Sequence, residues 1–217
     1  MMNAAEQSVV PNASGNILHW ALGYDLLVRL FWLGKERVFR EKTIDLAGLQ
    51  PGERALDVGC GTGSLVIAAK HRVGPTGTVC GIDASPEMIA RACKKARRNA
   101  VEVNFENAVV EKLPFADGTF DAVLSTLMLH HLGRRTRQQC LCEIRRVLKP
   151  GGRLLAIDFG DPVQGRRQFL AHFHRHGHVT FSDLIRMLNE AGFPNVETGL
   201  LGTRNLYYAS ARVPCCA

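Results

Sequence analysis

The sequence predicts a doubly wound α/β fold, a mostly parallel sheet with helices on both faces, and three observations carry that prediction. From Arg54 onward, apolar segments of strand length alternate with amphipathic segments of helix length, as parallel strands joined by right-handed helical crossovers require. The first of these strands, Ala55-Leu56-Asp57-Val58, runs straight into Gly59-Cys60-Gly61-Thr62-Gly63 and then into a helix. The chain has 217 residues, enough for one substantial core and short of the roughly 250 at which splitting into domains becomes usual.

Taken in order, residues 1–16 are polar and small, lack the basic start and apolar stretch of a secretory signal, and read as a loose arm. Residues 17–33 are apolar, with Trp20, Leu27, Phe31 and Trp32 interrupted by Asp25 and Arg29, so one or two helices are expected. A further amphipathic helix over 36–46 ends at Gly48 and the Pro51-Gly52 turn. Residues 1–50 are therefore expected to cover a cleft in a core formed by 51–217, one domain overall. The core is expected to hold strands at 54–58, 78–83, 101–107, 120–126 and 153–158, and helices at 64–72, 86–98, 136–148 and 181–191. Lys149-Pro150-Gly151-Gly152 reads as a turn, and Gly192 suits the helix C-terminal position that needs positive φ. The closing strands, 195–201 and 206–213, have a short connection and read as an antiparallel hairpin at the sheet edge.

Composition narrows the class. With 46% hydrophobic and 22% charged residues, the chain is neither disordered nor collagenous, and no run of about 18 uncharged apolar residues predicts a spanning helix. Seven cysteines, an odd number spread over core-like segments, argue for reduced thiols and a cytoplasmic compartment. The net charge of +7 favours an acidic partner, either a polyanion such as nucleic acid or the anionic inner surface of a membrane. Lys94, Lys95, Arg97, Arg98, Arg134, Arg135 and Arg137 supply much of that charge and read as solvated helix faces.

The glycine turn lets the backbone approach a ligand where a Cβ would collide, and the following helix N-terminus can hold an anionic group. Asp83 closes the next strand, 20 residues after Gly63, where a carboxylate can accept from both hydroxyls of a ribose. Its alternative role is to cap the helix that opens at Pro86. A dinucleotide is disfavoured, because Ser64 stands at the sixth place of the fingerprint and no second nucleotide half follows.

These pieces, with Gly81-Ile82-Asp83-Ala84-Ser85-Pro86-Glu87-Met88, Leu113-Pro114-Phe115, Gly118-Thr119-Phe120-Asp121 and Leu148-Lys149-Pro150-Gly151-Gly152, resemble class I S-adenosylmethionine (SAM)-dependent methyltransferases. Within the class the chain is most similar to the ubiquinone/menaquinone C-methyltransferase group and its small-molecule relatives. The resemblance implies a seven-stranded sheet of order 3-2-1-4-5-7-6 with the last strand antiparallel. It implies that SAM binds, leaving as S-adenosylhomocysteine (SAH). Gly59, Cys60 and Gly61 would hold the amino-acid end, with Asp57 also among the cofactor-binding residues, Asp83 the ribose, Ala84 and Met88 the adenine with the backbone near Val110, and Ser125 would lie near the methyl group.

Two departures stand out. Relatives usually read Gly-Asp-Ala-Glu where this chain reads Ala108-Val109-Val110-Glu111, so the carboxylate expected on the adenine amino group is missing at Val109. The segment 160–179 is short and basic, where quinone-methylating relatives generally carry a larger insertion.

Methyl transfer from a sulfonium mainly requires alignment and exclusion of water, with a base only where the acceptor must lose a proton. His130 and His131 are candidates, His131 foremost, and Tyr24 offers an aromatic face to the sulfonium. His172, His174, His176 and His178 alternate and would align for a metal only on a strand, so no metal is expected. The expected acceptor is a small or lipidic molecule, reached in part through peripheral contact of the N-terminal helices with anionic membrane. A nucleic-acid methyltransferase is the enzymatic alternative, and a SAM-binding module without catalysis the non-enzymatic one.

Overall fold

The computed structural model describes residues 36–160, 180–201 and 206–215. The expected N-terminal helices, Tyr24, the alternating histidines and the 202–205 connection lie outside them.

Helix α1 (Glu36–Ala47) precedes β1 (Arg54–Val58), α2 (Ser64–Val73), β2 (Thr78–Asp83), α3 (Pro86–Arg98) and β3 (Asn104–Asn107). Then follow β4 (Phe120–Thr126), a 3-10 turn (Leu129–His131), α4 (Arg134–Val147), β5 (Leu148–Phe159), α5 (Phe181–Glu190), β6 (Glu197–Leu200) and β7 (Leu206–Arg212). The seven strands form one sheet in the order β3-β2-β1-β4-β5-β7-β6, with β7 antiparallel to both of its neighbours.

Local chemistry explains the elements. β1 is buried on both faces after Arg54, as a central parallel strand must be, and its side chains are apolar except for Asp57. The Ser85 hydroxyl caps α3 by accepting from the Met88 amide at 3.3 Å, with Pro86 in the first turn and Lys95, Arg97 and Arg98 in the last. Asp83 therefore does not cap α3. Thr180 and Asp183 form a reciprocal capping box that starts α5, and Gly192 follows that helix at φ 84°.

Three boundaries differ from expectation, each for a local reason. β3 begins at Asn104 rather than 101, because Ala100 turns to φ 51° and the Val101 amide reaches back to Ala96 O at 3.1 Å, closing α3. α4 begins two residues early, the Arg137 amide donating to Gly133 O. The Lys149–Gly152 turn is absorbed into β5: the register jumps from Phe120↔Leu148 to Ala122↔Arg153, a bulge around Pro150, which has no N–H, and Gly151 at positive φ.

Two apolar layers sandwich the sheet. Leu141 and Ile144 of α4 and Leu184 and Leu188 of α5 pack on one face. Phe39 and Ile44 of α1, Leu65 and Val66 of α2, and Ile89 of α3 pack on the other.

Arg153 joins α1 to the second layer's edge. Its guanidinium forks onto Glu53 at 2.6 and 2.8 Å and donates to Ala47 O at 2.5 Å and Gly48 O at 2.8 Å. Burial pushes the Glu53 carboxyl up, but Arg153 and the Gln50 amide more than reverse that, leaving it below its ordinary 4.5. Its contribution is complete above that value and is lost as pH falls through the depressed one. Arg153→Met should lower unfolding free energy by about 1–3 kcal/mol in urea denaturation at neutral pH. Glu53→Gln should flatten the loss of stability seen below about pH 4.5.

Candidate functional site

The chain leaves β1 and returns to β4 on its other side, so the crevice between their C-terminal ends is the topological switch point where such sheets bind ligands. The loop out of β1 is tied to β2: the Gly59 and Cys60 amides both donate to Ile82 O, at 2.9 and 2.8 Å, and Gly63 N donates to Cys60 O at 3.0 Å. Gly59, Gly61 and Gly63 stand at φ 78°, 51° and 76°, backbone that L side chains rarely adopt. A Cβ at Gly59 would lie 2.3 Å from Met128 Cγ, so this side chain, two residues after β4, packs where only a glycine leaves room. Lys95, expected on a solvated face, instead sends its ammonium to Thr62 Oγ1 (2.7 Å) and Ser64 Oγ (2.8 Å) and braces the loop.

Three carboxylates end these strands in three different environments. Asp83 Oδ2 accepts from Gly61 N and its Oδ1 from Ser85 N, both at 2.9 Å. Burial raises its pKa and those two amides partly offset the rise. Each oxygen retains a further lone pair for a ligand. Asp57, 1% exposed, has no hydrogen-bond partner for either oxygen among the described residues. Burial first, and the charge of Asp83 second, push it up to about 7. Ser125 Oγ, near the end of β4, is likewise buried without a hydrogen-bond partner among the described residues.

The third carboxylate, Asp158 near the end of β5, is 5% exposed and was not among the site residues expected. Its Oδ1 lies 2.7 Å from His130 Nδ1 and accepts from Phe159 N at 2.8 Å, while Oδ2 accepts from His130 N at 3.0 Å. His130 is thus an imidazole held by a carboxylate, and the His131 ring lies against it with centroids 3.9 Å apart. The signal the sequence offers for it is a charge inside the apolar run 154–159.

Arg137 corrects another expectation. It is buried, with Nε donating to Leu129 O at 2.9 Å and Nη2 to Leu132 O at 2.8 Å, clamping both ends of the 3-10 turn. Its spacing to Cys140, Leu141 and Ile144 puts it on the apolar stripe of α4, a signal that its charge obscured.

Of the residues expected around an adenine, Ala84 is half-buried, and Met88 and Val110 are buried. Asn107 is committed through its amide N–H to Asp83 O at 2.9 Å, and Val109 is half-buried rather than core. The Cys60 thiol lies in the loop, not inside an element, and burial raises its pKa well above the ordinary range, which leaves it unreactive. Cys60, Cys80, Cys93, Cys140, Cys142 and Cys215 are free thiols. Among the described residues, no cluster of three or more His, Cys, Asp or Glu is arranged to hold a metal, and no helix is long and apolar enough to cross a membrane.

Comparison with known proteins agrees with this geometry. The methyltransferase domain family matches residues 55–152. Demethylmenaquinone methyltransferase of Thermus thermophilus is 40% identical over 142 residues, 65% of this chain and 63% of that one, so the chain spans less than two thirds of that relative's length. Ubiquinone/menaquinone biosynthesis C-methyltransferase UbiE of Cronobacter sakazakii is 31% identical over 205 residues, 82% of this chain and 80% of that one. In fold alone, the [4+2]-cyclase SpnF superposes with a TM-score of 0.71 at 21% identity, covering 82% of this chain and 80% of that one. The nucleotide-loop geometry and these relatives together place the chain in the class I SAM-dependent methyltransferase family.

Proposed function

We propose that this chain binds SAM in the crevice above β1, β2 and β4 and transfers its methyl group to a ring carbon of a small or lipidic, quinone-like hydroxyaromatic acceptor. The observation that carries the cofactor half is Asp57: two carboxylate oxygens buried beside a glycine turn, with no hydrogen-bond partner among the described residues. A buried polar group left unpaired costs about 1–3 kcal/mol, so the pocket is suited to a ligand that brings a cation or a donor there. The amino-acid end of SAM is such a group. Gly59, Cys60 and Gly61 would hold it with Asp57, Asp83 would take the ribose, and Ala84, Met88 and the Val110 backbone would enclose the adenine. Ser125 would face the methyl-bearing end. When bound, SAM supplies an electrophilic methyl group and leaves as the neutral thioether SAH.

The acceptor half rests on the relatives, whose names specify demethylmenaquinone and ubiquinone/menaquinone biosynthesis. The net charge of +7 supports peripheral contact with anionic lipid on the cytoplasmic side, from which a lipidic acceptor would be taken. Incubation with tritiated SAM and separated lipid, metabolite and RNA fractions tests this: label is expected in the lipid or metabolite fraction, and label confined to RNA would overturn the acceptor class.

Two further outcomes check the cofactor residues. Asp83→Ala should weaken SAH about tenfold to a hundredfold in calorimetry, through lost charge-assisted hydrogen bonds, and an unchanged affinity would refute the ribose role. Asp57 titrates near 7 in the free protein, and a bound cation would favour its charged form, so binding should release a proton and affinity should rise from about pH 6 to about pH 8. Asp57→Asn should abolish that proton release.

A further inference from the structure

The turn after β4 is built to aim one imidazole. Leu127 sits at φ 53°, a strained backbone for a branched side chain, with its amide fixed on Ile157 O at 2.8 Å. Met128 then packs on Gly59 of the glycine loop, which fixes the turn beside the nucleotide crevice. His130 is attached to Asp158 twice, through its backbone amide and its Nδ1. Arg137 grips Leu129 O and Leu132 O, the carbonyls flanking His130 and His131, from inside the core. Phe159 sets its ring edge-on to the His130 ring, with centroids 5.1 Å apart. A plain packing histidine needs none of this.

From this geometry we infer that His130 is the general base of the reaction, with Asp158 and Arg137 as its positioning residues; the inference rests on the methyl-transfer reading above. With Asp158 accepting at Nδ1, the proton of the neutral ring is held there and Nε2 keeps its lone pair. Among the described residues Nε2 has no hydrogen-bond partner, and the side chain is 18% exposed. Asp158 also stabilises the imidazolium that forms when Nε2 takes a proton.

The step balances on a hydroxyaromatic acceptor. The acceptor O–H bond breaks and its proton goes to His130 Nε2. The oxygen's electron pair becomes the carbonyl π bond, and the ring's pair forms the new C–C bond to the methyl carbon. The S–C bond pair remains with sulfur. The methylated ring carbon then loses its own proton as the carbonyl returns to a hydroxyl, so one proton is released overall. An acceptor with no proton to lose, such as a thiolate, has no use for such a base.

The test uses the full chain and four variants, His130→Ala, Asp158→Asn, Arg137→Met and Arg137→Lys, with chemically reduced 2-prenyl-1,4-naphthoquinone as the acceptor. Calorimetric SAH binding should stay within about twofold in all folded variants, since none of these residues belongs to the cofactor set. Transfer should fall about a hundredfold or more in His130→Ala, and added imidazole should restore part of it. Asp158→Asn should lose about tenfold or more without imidazole rescue, because its own imidazole is present but unheld. Arg137→Lys, which keeps a donor for one of the two carbonyls, should lie between wild type and Asp158→Asn and serves if Arg137→Met does not fold. Proton NMR gives a readout independent of turnover: a downfield imidazole N–H resonance in the wild type, absent from His130→Ala and Asp158→Asn. His130→Ala retaining over about a third of wild-type transfer overturns the inference, as does the absence of that resonance in the wild type. Wild type that binds SAH yet leaves the quinol unmethylated overturns the base assignment and leaves the cofactor reading standing. Wild type that binds no SAH overturns the proposed function itself.

Discussion

The double hydrogen bond from the Gly59 and Cys60 amides to Ile82 O is the contact on which the crevice depends. It ties the end of β1 to the end of β2, so the glycine loop cannot swing away from Asp83, and Asp83 in turn accepts from Gly61. Lys95 braces the far side of the loop through Thr62 and Ser64, and Met128 fills the space that only a glycine at 59 leaves open. The result is a rigid, preformed turn flanked by acidic strand ends. Such preorganisation suits a reaction whose main demands are alignment and exclusion of water.

A sheet buried on both faces places its polar chemistry at its strand ends, and the three aspartates there show how environment assigns roles. Asp83 is satisfied by backbone amides and keeps spare lone pairs. Asp158 is consumed by one imidazole and two amides, which makes it a support rather than a ligand-binding group. Asp57 has no hydrogen-bond partner among the described residues, and its burial, with the charge of Asp83 beside it, raises its pKa. That the SpnF cyclase shares the fold shows that the sheet and crevice alone do not define a chemistry. The distinguishing features are the side chains around the crevice.

Much of this was legible in the residues. The alternation of apolar strands and amphipathic helices specified the sheet, and the glycines between Val58 and Ser64 specified the loop, because both reflect backbone constraints that few residue types satisfy. Gly192 and the capping of α3 followed from local chemistry, although the cap proved to be Ser85 rather than Asp83. The bulge at Pro150 and the late start of β3 were not legible, since each depends on where a neighbouring strand or helix ends. Arg137 and Lys95 depart from the solvated faces that their charges predict for one reason: backbone carbonyls and hydroxyls solvate those charges inside the fold. The carboxylate that holds His130 was not legible, because Asp158 lies 28 residues further along the chain and meets His130 only through the pairing of β4 with β5.

The central claim is that one crevice, lined by the ends of β1, β2 and β4, is the cofactor site. Amide hydrogen exchange with and without SAH addresses it directly, since it reports each segment separately and needs no acceptor. The account predicts slowed exchange in residues 59–64, 83–88 and 108–111 together, with β6 and β7 unchanged. Binding that protects none of those three segments, or protects only the β6–β7 edge, would contradict it.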